Sequence, residues 1–112
     1  MVFDEVDAGM GGRAAERVGR ALADLAESHQ VLCITHLPQI AVFADRHFRV
    51  EKATARGRVR ARIVALESDG RVEEIARMAG GEAISEATRA HARELLASAE
   101  STGAGRRPTA AP

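Results

Sequence analysis

The chain has 112 residues, 46% hydrophobic and 3% aromatic, with sixteen basic and sixteen acidic side chains that cancel. That length suits one small domain, near the lower limit for a self-sufficient core, and the balanced charge gives no global drive toward nucleic acid or membrane. A single cysteine, Cys33, excludes an intrachain disulfide and a thiolate metal cluster, while Phe3, Phe43 and Phe48 are too few aromatics for a base-stacking platform.

No long apolar run and no leader peptide occur, so a cytoplasmic chain without membrane contact is expected. The chain opens almost inside a strand, with Val2 and Phe3 leading directly into Asp4 and Glu5. So abrupt a start points to sequence missing upstream, because strands usually run longer. Asp7 follows, then Gly9, Gly11 and Gly12. This pattern reads as a buried strand that delivers carboxylates into a glycine-rich loop before a helix. Ligands of open α/β sheets bind beyond the carboxyl ends of the strands, and carboxylates there suit Mg²⁺ together with substrate phosphates. On spacing alone, Asp4, Glu5 and Asp7 serve equally well as a solvated turn.

Residues 13–28 show helical spacing, with Ala14, Ala15, Val18, Ala21, Leu22, Leu25 and Ala26 on one side and pairs such as Glu16–Arg20 on the other. Residues 31–35 are a short apolar run fit for a strand buried on both faces, with Cys33 as a small core residue. Strand, helix and strand at this spacing make a βαβ unit with parallel strands. Thr35-His36-Leu37-Pro38-Gln39 follows, so His36 emerges on the same sheet edge as Asp4 and Glu5. A histidine beside paired acids is a candidate site residue; a structural histidine is the alternative.

Pro38 opens a short helix over residues 39–44. Residues 47–52 and 58–66 form a hairpin around Arg56-Gly57. In its second strand Val59, Ala61, Ile63 and Ala65 alternate with Arg58, Arg60 and Arg62, which predicts a half-exposed strand. The arginine row either touches phosphates or is a solvated edge that discourages aggregation. A helix over residues 69–78 turns Val72, Ile75, Ala76 and Met78 inward, and Gly80-Gly81 breaks it. Ser85 caps a last helix over residues 86–98, with Ala87, Ala90, Leu95 and Leu96 as its apolar positions and His91 at the stripe's edge. Residues 100–112 are expected to be a disordered tail.

At Phe3-Asp4-Glu5-Val6-Asp7-Ala8-Gly9 and Thr35-His36-Leu37-Pro38-Gln39 the chain resembles the heads of ABC-type ATPases. More narrowly it looks like the C-terminal end of the RecN family, SMC-like ATPases of bacterial DNA repair. The resemblance covers residues 2–99 and extends to the closing Ala90-His91-Ala92-Arg93-Glu94-Leu95-Leu96 run. It implies an α/β fold: a partial P-loop NTPase head with a parallel βαβ core, an added β-hairpin and two C-terminal helices.

The resemblance also implies roles. Asp4 would be the Walker B aspartate that holds Mg²⁺, and Glu5 the general base that orients the attacking water. His36 would be the switch histidine that reads the γ-phosphate of ATP. Residues 6–12 would be the D-loop, with Asp7, Gly9 and Gly11, together with Gln39, on the nucleotide side. The expected partners are the remainder of the head, a second head in a homodimer, and DNA through the whole, nucleoid-associated protein. These roles fit phosphoryl transfer, where positioning and charge stabilisation carry the catalysis.

The chain departs from the family pattern at Gly11, where many ABC ATPases carry an aspartate. It contains no G-x-x-x-x-G-K-[ST] loop, since Lys52, its only lysine, lies between Glu51 and Ala53. The Gly-Gly signature expected ahead of Walker B is missing, and Ala79-Gly80-Gly81-Glu82 comes after it. The expectation is therefore a portion of a repair ATPase that supplies Walker B and the switch histidine and is inactive alone. The alternative is a non-catalytic module that completes a separately encoded head. A small independent hydrolase using Asp4, Glu5, Asp7 and His36 around a metal is a third reading.

Overall fold

Two short segments, Val2-Phe3-Asp4 and Leu32-Cys33-Ile34, pair side by side. The structure is a computed structural model that describes residues 1–4, 9, 11–81 and 83–102. Its elements are β1 (Val2–Asp4), α1 (Gly12–Leu25), β2 (Leu32–Ile34), α2 (Pro38–Ala41), β3 (His47–Ala55), β4 (Arg58–Leu66), α3 (Ser68–Gly80) and α4 (Glu86–Thr102). The architecture is mixed α/β, with two two-stranded sheets among the described residues.

β1 and β2 are parallel, with Val2 opposite Leu32, Phe3 opposite Cys33 and Asp4 opposite Ile34. This is the expected βαβ unit. The ladder extends upstream, where the Met1 amino group donates to the Gln30 carbonyl at 2.7 Å and Leu32 N–H to the Met1 carbonyl at 2.8 Å. Val2, Leu32 and Ile34 are 68%, 54% and 52% exposed. A parallel pair is stable with both faces covered, and one flank of this pair is open. Cys33, which alternation places on the opposite face with Phe3, is half-buried where the sequence predicts a buried core residue.

The core lies among the helices. Ala23 of α1, Ala41 with Val42 and Phe43 at α2, Ile75 and Ala76 of α3, and Ala92 and Ala99 of α4 form one buried cluster. Small residues let the helices approach closely. A Cβ on Gly19 of α1 would run into the Phe43 ring and reach 3.1 Å from the Gln39 carbonyl oxygen. Gly80 makes the same kind of crossing against Thr88 of α4, where a Cβ would sit 2.8 Å from Thr88 Cγ2. Gly81, at φ +77, then ends α3, and Ser85 Oγ accepts the Thr88 N–H at 3.1 Å to cap α4 as expected.

β3 and β4 form the predicted antiparallel hairpin, from His47 opposite Leu66 out to Ala55 opposite Arg58. Its turn places both Arg56 (φ +51) and Gly57 (φ +74) in the positive-φ region that two-residue hairpins with the right strand twist require. The predicted half-burial of β4 is not found. Val59 and Ile63 are 70% and 71% exposed, because no described element covers the face they share with Phe48 and Val50. On α4 the predicted apolar face is also displaced. Ala92 and Ala99 are buried, Leu95 and Leu96 half-buried, and Ala87, Ala90 and His91 exposed. α4 runs to Thr102, and residues 103–112 of the expected tail lie outside the described residues. No helix among the described residues is long and apolar enough to cross a membrane.

Candidate functional site

The parallel register decides which side chains share an edge. Asp4 is the last residue of β1 and stands opposite Ile34, the last residue of β2. Asp4 is exposed there. Two residues beyond Ile34 comes His36, also exposed. Asp4 and His36 therefore leave the same carboxyl edge of one sheet, as the βαβ reading requires.

The turn after β2 is built from its own side chains. Thr35 Oγ1 accepts the Leu37 N–H at 3.0 Å, which holds the chain in a tight local turn around His36. Leu37 then stands at the N-cap of α2 with extended backbone, and Pro38 occupies the first helical position, where its missing N–H costs nothing. Pro38 and Ile40 are buried, so the base of this turn is anchored in the core while His36 faces solvent.

Gln39 links the turn to the glycine loop. Its Nε2 lies 3.9 Å from where a Cβ on Gly12 would stand, at the first residue of α1. Gly11 is the extended N-cap of α1, and its carbonyl accepts the Ala15 N–H at 3.0 Å. Gly9 has φ +75, which favours glycine. Among the described residues, a Cβ on Gly9 or Gly11 would meet nothing within 4 Å. Asp4 and His36 thus share one rim of the sheet, and Gln39 stands beside the start of α1. Glu5 and Asp7, predicted as base and nucleotide-side acid, lie outside the described residues, as do Val6, Ala8 and Met10 of the predicted D-loop. Among the described residues no group of three or more His, Cys, Asp or Glu side chains is placed to hold a metal. Asp4 is the described carboxylate at that rim, and an exposed carboxylate at a strand end is a suitable oxygen donor for Mg²⁺.

A second polar cluster, which sequence reasoning passed over, joins the hairpin to the helices. Arg71 of α3 donates through Nη2 to the carbonyls of Ala41, Val42 and Ala44 at 3.2, 3.2 and 2.7 Å, closing the C-terminal end of α2. Glu74, 3% exposed, pairs with Arg77 and, at 3.7 Å, with Arg49 of β3. His47 Nδ1 and Arg71 Nε are buried with no hydrogen-bond partner among the described residues. Burial, and then the neighbouring Arg71 charge, hold the His47 pKa below its usual 6.5, with Glu74 opposing. The signal in the sequence was a charged pair, Arg71 and Glu74, three residues apart and flanking the buried stripe of α3. This cluster stabilises the fold and takes no part in the rim.

No family model matches the chain. Curated relatives do. The DNA repair protein RecN of Streptomyces coelicolor is 53% identical over 98 residues, covering 88% of this chain and 17% of the relative. RecN of Mycobacterium leprae is 55% identical over 96 residues, 86% of this chain and 16% of the relative. RecN of Halalkalibacterium halodurans is 45% identical over 96 residues, 86% and 17% respectively. The chain thus spans about one sixth of the length of these relatives.

Proposed function

Because this chain carries a C-terminal segment of the RecN family of DNA repair proteins, we propose that its rim is one portion of an ATP site. The observation that carries this reading is the parallel register that brings Asp4 and His36 to one sheet edge.

Asp4 is the residue to hold Mg²⁺, directly or through water. Bound there, the ion neutralises charge on the phosphate oxygens and orients them. Glu5, next in sequence, is the base that takes a proton from the attacking water. His36, held forward by the Thr35 turn, donates to the terminal phosphate. Gly9 and Gly11, without side chains, leave room for a partner surface, and Gln39 stands beside the start of α1. Asp7, between Asp4 and Gly9 in sequence, is the acid on the nucleotide side. The remainder of the head, with its phosphate cradle, and a second head complete the site. DNA double-strand break repair is the process the whole protein serves.

The open flank of β1 and β2 favours a related reading. Val2, Leu32 and Ile34 are the surface on which the rest of a head sheet docks, in one chain or as a separately encoded part.

The test is replacement. The chain substituted for the matching segment of the Streptomyces coelicolor relative should support Mg²⁺-dependent ATP hydrolysis, and the isolated chain should not. Asp4→Asn and Glu5→Gln in that hybrid should each lower turnover at least about 100-fold, the scale of losing a transition-state group. Full turnover in the Glu5→Gln hybrid would remove Glu5 as the base.

A further inference from the structure

The whole chain is neutral, yet residues 52–66 carry Lys52, Arg56, Arg58, Arg60 and Arg62 and no acid at all. These residues make the outer part of the β3–β4 hairpin. The register sorts them. Arg58 faces Ala55 across the ladder, Arg60 faces Ala53 and Arg62 faces Glu51, all on one side of the ribbon. The acid on that side, Glu51, is taken by Arg49. Lys52 and the exposed Val59 and Ile63 lie on the other side.

Three features separate this row from an ordinary solvated edge. Arg20, Arg49, Arg77, Arg89 and Arg93 each have a carboxylate partner, whereas Arg56, Arg58, Arg60 and Arg62 have none among the described residues. Across the ladder stand Ala53 and Ala55, which leave the guanidinium row unobstructed from the side. At the tip a shallow concavity is lined by Ala55, Arg56, Arg58 and Arg60, and Arg56 occupies a positive-φ position (φ +51) that Asn, Asp or Gly fills at less cost.

Alternate residues on a strand are about 6.8 Å apart, so each guanidinium can take a separate phosphate. A two-stranded ribbon also fits the major groove of a duplex. The arginine side holds no aromatic residue on which an unpaired base could stack, which disfavours single strands. From this geometry we infer that the arginine face of the β3–β4 hairpin, Arg58, Arg60 and Arg62 with Arg56 at its tip, is a sequence-independent contact for the phosphates of double-stranded DNA. The inference takes from the reading above only that the family acts on DNA.

The test is fluorescence anisotropy of the 112-residue chain, without nucleotide, against a labelled duplex between 50 and 200 mM salt. Four phosphate contacts predict that affinity falls about 150-fold over that range. R58A/R60A/R62A should bind weakly and lose only about 4-fold over the same range. R58K/R60K/R62K should keep most of the salt dependence, because charge carries the contact. R17A/R20A/R93A, which removes the same charge from the helices, should bind like the parent chain. Circular dichroism of each variant reports that the fold is kept.

The inference is overturned if the parent chain does not bind duplex at 50 mM salt. It is equally overturned if the alanine variant binds like the parent, or if single-stranded DNA, RNA or polyglutamate competes better than duplex. Because no nucleotide is present, any of these outcomes leaves the ATP-site reading standing. A failed hydrolysis test likewise leaves this one.

Discussion

Ile63 and Ile75 are the same residue with opposite fates. Ile75, on α3, is wholly buried in the helical cluster, and Ile63, on β4, is 71% exposed. The difference runs through the molecule. The helices close on one another through small residues and form the core, while both strand pairs keep a bare apolar side. Burial here follows tertiary closure, and hydrophobicity alone does not decide it.

That contrast can be broken by experiment. Ile75→Ala removes packed methyl groups from a site that cannot easily collapse and should cost about 2–5 kcal/mol. Ile63→Ala should stay within about 0.5 kcal/mol, as for a surface change. Urea midpoints of the two variants against the parent measure both. A cost at Ile63 equal to that at Ile75 would mean that the bare hairpin face is covered in solution.

A smaller effect sharpens the account of how the helices close. Gly19 and Gly70 both lie within helices, but a Cβ on Gly19 enters the Phe43 ring, and one on Gly70 meets only Leu66 Cδ2 at an ordinary 3.8 Å. Gly19→Ala should destabilise by about 1–3 kcal/mol through overpacking. Gly70→Ala should stabilise by about 0.5–1 kcal/mol by restricting the unfolded chain. Thermal midpoints that move the same way for both would show that the α1–α2 crossing does not depend on the missing Cβ.

What could be read from sequence was local chemistry. The βαβ unit followed from two short apolar runs around an amphipathic helix, the hairpin from alternation around Arg56-Gly57, and the α4 cap from Ser85. The edge shared by Asp4 and His36 followed from parallel strands alone. Long-range closure was not legible. α4 carries alanines at 87, 90, 92, 97 and 99, so hydropathy points to no single side, and only the approach of Ile75 and Ala76 selects Ala92 and Ala99. The exposure of Val59 and Ile63 was hidden for a related reason. Alternation shows that a strand has an apolar face but says nothing about whether anything lies against it. The Arg71 and Glu74 cluster escaped because its partners, the α2 carbonyls and Arg49, lie far away in sequence.

The joint between the two halves gives the smallest and most specific effect. His47, at the base of β3, is half-buried beside Arg71 with its Nδ1 enclosed, and its pKa is held below the usual 6.5. The folded state therefore favours the neutral ring, and below about 6.5 the unfolded chain binds the proton more readily. The stability contributed by neutral His47 is complete above about 6.5 and is lost as pH falls from there toward the lowered folded value. Protonation places a positive charge next to Arg71, with Glu74 already engaged by Arg77 and Arg49. His47→Gln keeps a polar side chain that does not titrate, so its stability should fall less than the parent's between pH 7 and pH 5. His29, His36 and His91 are common to both proteins and drop out of the difference. Urea unfolding at a series of pH values measures it. Parallel curves for parent and variant would show that the hairpin base is open to water, and the boundary between the closed and bare halves would then lie closer to the helices.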